Sequence, residues 1–139
     1  MRTLLRLAAL ALAVCMLVTA MALEGGEVVE LRTRGPDGAA RVTRVWIADD
    51  GGAEWIEAAS PERPFLEDVA RDPDVALVRG GAAEPRRATI VAGPEGHARI
   101  RALLRRRYGW ADRWIGMLAD TSRSVAVRLE RESPPVPAS

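Results

Sequence analysis

The chain has 139 residues, 48% hydrophobic and 28% charged, with a net charge of +1. Those values fit one globular domain and exclude a disordered chain, and so small a net charge argues against nucleic acid as a partner. A single cysteine, Cys15, and a single histidine, His97, exclude an internal disulfide, a thiolate zinc site, a His-based metal centre and any Ser-His-Asp triad not built on His97.

The N-terminus carries Arg2 and Arg6 ahead of an uncharged run, residues 7–23, in which Thr19 alone is polar. A basic end followed by a long apolar run is an export address. Residues 20–22, Ala-Met-Ala, place small side chains where a signal peptidase cuts, so residues 1–22 read as a cleaved signal. Residues 3–23 are also nearly long enough to stay as a membrane anchor. Either way the basic end remains cytoplasmic and the domain is exported, to the periplasm or to the outer face of the inner membrane.

Residues 27–34 alternate, with Val29, Leu31 and Thr33 on one face and Glu30, Arg32 and Arg34 on the other, as a half-buried strand requires. The turn Gly35-Pro36-Asp37-Gly38 follows, then a β-branched and aromatic return strand over residues 39–49. Asp49-Asp50-Gly51-Gly52 is a second hairpin turn, and residues 53–60 a third strand. Phe65, Leu66, Val69 and Ala70 predict a short helix that ends at Pro73, with Glu67 and Asp68 on its exposed face. Two further strands, residues 74–80 and 84–93, surround Gly80-Gly81. A long helix over residues 95–108, with His97 near its start, extends through Gly109 as a bend or a second helix. Ile100, Leu103, Leu104, Tyr108, Ala111, Ile115 and Leu118 form its apolar stripe. Val125, Val127 and Leu129 alternate in a last strand, and residues 131–139 read as a disordered tail. Mostly antiparallel strands with late helices suggest a small barrel with helices packed outside it.

No paired carboxylates and no phosphate-loop spacing stand out. The informative feature is the first hairpin, where Arg32, Arg34, Arg41 and Arg44 gather on two strands. Arg41 and Thr43, two apart on one strand face, make a convergent donor pair for phosphate or carboxylate; alternating arginines on a solvated face are the plainer alternative. Trp110 and Trp114, one helical turn apart, either cover a ligand ring or cap the barrel.

Residues 29–60, VELRTRGPDGAARVTRVWIADDGGAEWIEAAS, resemble the first three strands of the nitroreductase-like, deazaflavin-dependent oxidoreductase family. Its pattern of Leu-x-Thr-x-Gly, a short basic turn, Arg-x-Thr-x-x-Trp and an acidic-Gly turn is matched by Leu31, Thr33 and Gly35, by Arg41, Thr43 and Trp46, and by Asp50-Gly51. The likeness extends over about residues 27–130. It implies a six-stranded antiparallel split β-barrel of the pyridoxamine-phosphate-oxidase kind, here with an N-terminal hydrophobic helix. It also implies a deazaflavin or FMN cofactor, a small-molecule electron acceptor and a homodimer. Thr33, Gly35, Arg41, Thr43, Arg44 and Trp46 are its candidate cofactor-binding residues. One departure stands out: the family's basic turn is replaced by Gly-Pro-Asp-Gly, and Asp37 would oppose a phosphate. Arg41 and Arg44 are then the nearest remaining cations, and a barrel that kept its fold but lost the cofactor is the competing expectation.

Overall fold

The structure, a computed structural model that describes residues 1–132, contains α1 (Arg2–Glu24), β1 (Val28–Arg34), β2 (Ala40–Asp50), β3 (Ala53–Ala58), α2 (Pro64–Arg71), β4 (Asp74–Arg79), β5 (Ala82–Val91), α3 (Gly93–Tyr108), α4 (Trp110–Leu118) and β6 (Val125–Arg131). The six strands close into a barrel in the order β1-β2-β3-β6-β5-β4, with every neighbouring pair antiparallel. The expected six-stranded antiparallel barrel with an N-terminal apolar helix is present. Arg131, assigned from the sequence to a tail over residues 131–139, instead pairs with Arg86 in β6; residues 133–139 lie outside the described residues.

Period-two alternation builds the interior. Val29, Leu31, Val45, Ile47, Ile56, Val75, Leu77, Val127 and Leu129 point inward and are buried, joined by Phe65, Leu66 and Val69 of α2. Each such side chain contributes roughly 1.5–3 kcal/mol relative to exposure. Outside the barrel a second cluster joins Ala48, Ala53, Trp55 and Ala126 to Ile100, Leu103, Leu104, Tyr108 and Ala111, and to Ala22 of α1. α3 starts close against β5: a Cβ on Gly96 would lie 1.8 Å from the Val91 carbonyl oxygen, so a glycine is required there. Gly109, at φ 54°, separates α3 from α4 and settles the bend as two helices. The apolar stripe read from the sequence holds as far as Ala111. Ile115 is half-buried, and Leu118 is exposed because α4 leaves the barrel after Gly109.

The two open ends of the barrel are closed differently. At one end α2 lies across the opening and inserts Phe65, Leu66, Asp68 and Val69. Asp68, expected on the exposed face, is in fact 1% exposed, while Ala70, expected inside, faces solvent. The reason is phase: Asp68 stands three residues after Phe65, on the same helix face. At the other end Glu27, Asp49, Glu54, Arg79 and Arg86 interlock across the mouth. Arg79 donates to both oxygens of Glu27 (2.6 and 2.9 Å) and of Asp49 (2.7 and 2.8 Å). Arg86 donates to both oxygens of Glu54 (2.5 and 3.1 Å) and to Glu84 (2.8 Å).

Candidate functional site

The α2 end carries the candidate site. β2 runs to eleven residues, but β3 pairs only with Ile47 to Asp50, so the first half of β2 outruns β3 and leaves one strand edge open. Over that edge lies a cleft of about 410 Å³, lined by Arg41, Val42, Thr43 and Arg44 of β2 and by Arg63, Pro64 and Phe65 at the start of α2. Three of the lining residues are arginines and none is acidic. No side chain caps the first turn of α2; Leu66 N–H bonds the Arg63 carbonyl (3.0 Å), and the positive dipole end of the helix adds to the field there.

Behind this cleft sits the Asp68 carboxylate. It accepts hydrogen bonds from Thr33 Oγ1 (2.8 Å), Arg41 Nε (2.6 Å) and Arg71 Nη2 (2.7 Å). Burial pushes the Asp68 carboxyl up, but the donors Arg41, Thr33 and Arg71 outweigh it and hold the group below the ordinary carboxylate value. Arg41 is thus gripped through Nε, which fixes the plane of its guanidinium at the wall of the cleft. Arg44 and Arg63 make no ion pair among the described residues. The α2 end therefore holds one buried carboxylate against Arg41 and Arg71, with Arg44 and Arg63 in excess.

The six candidate residues divide by position. Arg41, Thr43 and Arg44 come together in the cleft. Arg41 and Arg44 point from opposite faces of β2, and no bulge interrupts its register with β1; the open edge lets both reach one depression. Thr33 is buried and committed to Asp68. Gly35 opens the hairpin turn, donating its N–H to the Ala39 carbonyl (2.8 Å) and accepting from Gly38 N–H (3.0 Å). Trp46 lies elsewhere: it faces the outer layer, tilted against Tyr108 with ring centroids 4.9 Å apart, and covers Gly26, where a Cβ would meet its ring nitrogen at 2.6 Å. Among the described residues, the lining of the cleft that holds the arginines does not include Trp46. Asp37 does not line the cleft either; its carboxylate accepts the Ala39 N–H (3.1 Å) within its own turn. Arg32 and Arg34 point to solvent beside Glu30 (3.5 Å) and Asp72 (3.7 Å).

Sequence reasoning missed Arg63 and Asp68. The available signals were the Phe65-to-Asp68 spacing and the uncapped Arg63-Pro64 start of α2. Of the Arg105-Arg106-Arg107 triplet, Arg107 joins the far end of the barrel through Glu27 (2.9 Å). Trp110 is exposed, and Trp114 donates from Nε1 to Thr19 Oγ1 of α1 (2.9 Å). His97, near the start of α3, is half-buried with Nδ1 3.0 Å from Ser124 Oγ.

No family model matches the chain, and no curated protein matches it. Solved structures do. An F420 reductase superposes with a TM-score of 0.54 at 19% identity, over 78% of this chain and 88% of its own. A candidate pyridoxamine 5'-phosphate oxidase from Listeria innocua gives 0.57 at 18% identity, over 82% and 90%. HutZ, the heme storage protein from Vibrio cholerae, gives 0.60 at 14% identity, over 83% and 88%. At these identities the likeness is one of fold: the chain folds as a split barrel of the kind found in F420-dependent reductases and pyridoxamine-phosphate-oxidase-like proteins.

Proposed function

We propose that the barrel binds a flavin or deazaflavin by its anionic tail in the Arg41–Arg44–Arg63 cleft and serves as an oxidoreductase. The observation that carries this reading is the excess positive charge of the cleft: Asp68 pairs with Arg41 from behind, and Arg44 and Arg63 make no ion pair among the described residues. Three guanidinium groups, the Thr43 hydroxyl and an uncapped helix start converge on about 410 Å³ with no carboxylate in the lining. That donor set fits phosphate or carboxylate oxygens, and the volume falls within the usual range for small-ligand sites. Arg41, held by Asp68, would fix the position of the tail. Arg44 and Arg63 would add charge from either side, and Val42 and Pro64 offer apolar surface to a ring. The cofactor itself would supply hydride transfer to a small electron acceptor such as a quinone or nitro compound, and the protein binding and orientation. The fold's likeness to an F420 reductase agrees with this assignment. A homodimer that completes the ring site belongs to the same proposal.

The competing reading, a binding module without redox chemistry, is favoured by one observation: Thr33, which the family pattern places at the cofactor, is sealed against Asp68. We further propose export of the domain. α1 has a mean hydropathy of 2.3 over its best window and is long and apolar enough to cross a membrane. Titrating FMN and a deazaflavin into the full chain, with fluorescence as readout, separates the two functional readings. Saturable binding together with reduction of a quinone or nitro acceptor supports the enzyme; binding of neither cofactor supports the module.

A further inference from the structure

We propose that α4 lies in the headgroup layer of a membrane, alongside a retained α1, with the stripe Trp110, Trp114, Met117 and Leu118 against lipid. Three observations lead there. The first is length. Residues 7–23 form an uncharged run about 25 Å long in a helix, against a hydrocarbon core of about 30 Å. α1 is docked on the domain through its C-terminal half: Cys15, Val18 and Thr19 are half-buried, Ala22 is fully buried, and Trp114 bonds Thr19. If the docked part stayed in water, residues 7–14 alone would remain for the bilayer, about 12 Å. Docking and spanning are compatible only if α4 enters the interface to about the depth of Thr19.

The second is the face that α4 shows. Residues 110, 114, 117 and 118 stand at i, i+4, i+7 and i+8, one stripe of a helix. Trp114 in its middle touches α1, while Trp110, Met117 and Leu118 are 55%, 72% and 56% exposed. Trp114 thus joins the stripe on α4 to α1 at the level of Thr19. A Trp at the level where an anchor leaves the hydrocarbon suits an interface that is apolar on one side and wet on the other. Beside the stripe, Arg113 and Arg105 line a cleft of about 670 Å³ with Met117. Neither makes an ion pair among the described residues, and both complement anionic headgroups.

The third decides between lipid and protein as the occupant. α1 is apolar all round, with Leu4, Leu5, Leu7, Leu10, Leu12 and Leu17 each 59–72% exposed in every direction. A helix meant for a protein groove would be apolar on one side only.

The test uses the full chain with Cys15 replaced by Ser, reconstituted into phosphatidylcholine–phosphatidylglycerol vesicles. A fluorophore is placed by Leu10→Cys, Met117→Cys or Pro36→Cys, and its emission is read against lipids carrying a nitroxide near the headgroup or near the chain end. Position 10 is expected to be quenched best by the deep nitroxide. Position 117 should be quenched best by the shallow one, and several-fold more than position 36, a full strand away from the exit of α1. Quenching at 10 with none at 117 would overturn the proposal, since α1 would then span undocked. So would quenching at neither position, as in a dimer that buries both helices in protein. Neither result depends on whether the barrel binds a flavin.

Discussion

The two ends of the barrel are built from the same residue types and differ in charge balance. At the ionic end Glu27, Asp49, Glu54 and Glu84 meet Arg79, Arg86 and Arg107, and nearly every guanidinium edge faces a carboxylate. At the α2 end Asp68 satisfies Arg41 and Arg71 and Asp72 faces Arg34, while Arg44 and Arg63, which line the cleft, make no ion pair among the described residues. A balanced network has no charge to offer a ligand and works as a plug. An unbalanced one retains a field directed at its cleft, and a preorganised cation set there favours an anion. Clustered arginines alone do not distinguish a site from a seam; the count of carboxylates beside them does.

Breaking the plug should have the largest effect. Arg86→Ala leaves the buried Glu54 carboxylate without its two-point partner, and loss of one member of a buried pair costs about 3–5 kcal/mol. Thermal unfolding should show a large fall in Tm, while the protein that remains folded at low temperature should bind FMN as the parent does. Arg41→Ala should cost less, about 2 kcal/mol, because Asp68 keeps Thr33 and Arg71 and the Arg41 side chain is partly exposed. Unlike the plug variant, it should also weaken anion binding, so stability and affinity fall together. A solvent-facing Arg41, as the strand alternation alone suggested, would have left stability unchanged.

Acid sharpens the comparison. The Asp68 carboxyl is lowered in the folded state, so its stabilisation is full above the unfolded carboxylate value near pH 4 and is lost as pH falls through the folded value below that. Glu27 and Asp49 are lowered too, each chiefly by hydrogen bonds from Arg79, and they act with the same sign at the other end. In urea titrations between about pH 3 and 7, Asp68→Asn should be less stable at neutral pH and lose stability less steeply in acid. The smallest stability effect belongs to Arg44→Ala, within about 0.5 kcal/mol of the parent. Its FMN affinity should nevertheless fall roughly ten-fold, the loss of one charge-assisted contact.

Much of the barrel was legible because period-two alternation in residues 29–33, 45–47 and 125–129 fixes which face is inside, and Gly-rich turns fix where strands reverse. The antiparallel pairing of β1 with β2, β2 with β3 and β4 with β5 followed from short connections, and the apolar N-terminal helix from its uncharged run; the pairings β1–β4, β3–β6 and β5–β6 that close the barrel join strands far apart in sequence. The site was legible in part. Arg41, Thr43 and Arg44 stand close in sequence, so their meeting required only an open strand edge. Arg63 and Asp68 arrive from another element, and their approach depends on how α2 lies across the barrel mouth, which no local pattern encodes. The ionic end was invisible for the same reason: Arg79 and Glu27 are 52 residues apart and meet only once the barrel has closed. Trp46 lies outside the cleft although it shares a face of β2 with Arg44: it stands two residues further along the strand, where it packs on Tyr108, and the motif gives spacing but not what covers each part of a strand.

The central claim is that the α2 end grips an anionic tail. The most direct measurement compares FMN with riboflavin, which has the same ring and no phosphate, by fluorescence titration of the full chain and of the Arg44→Ala/Arg63→Ala double variant. The parent is expected to prefer FMN by at least roughly ten-fold, the scale of one lost charge-assisted contact, and the double variant to lose that preference while its affinity for riboflavin holds. Equal affinities for FMN and riboflavin in the parent, or an FMN preference that survives in the double variant, would contradict it.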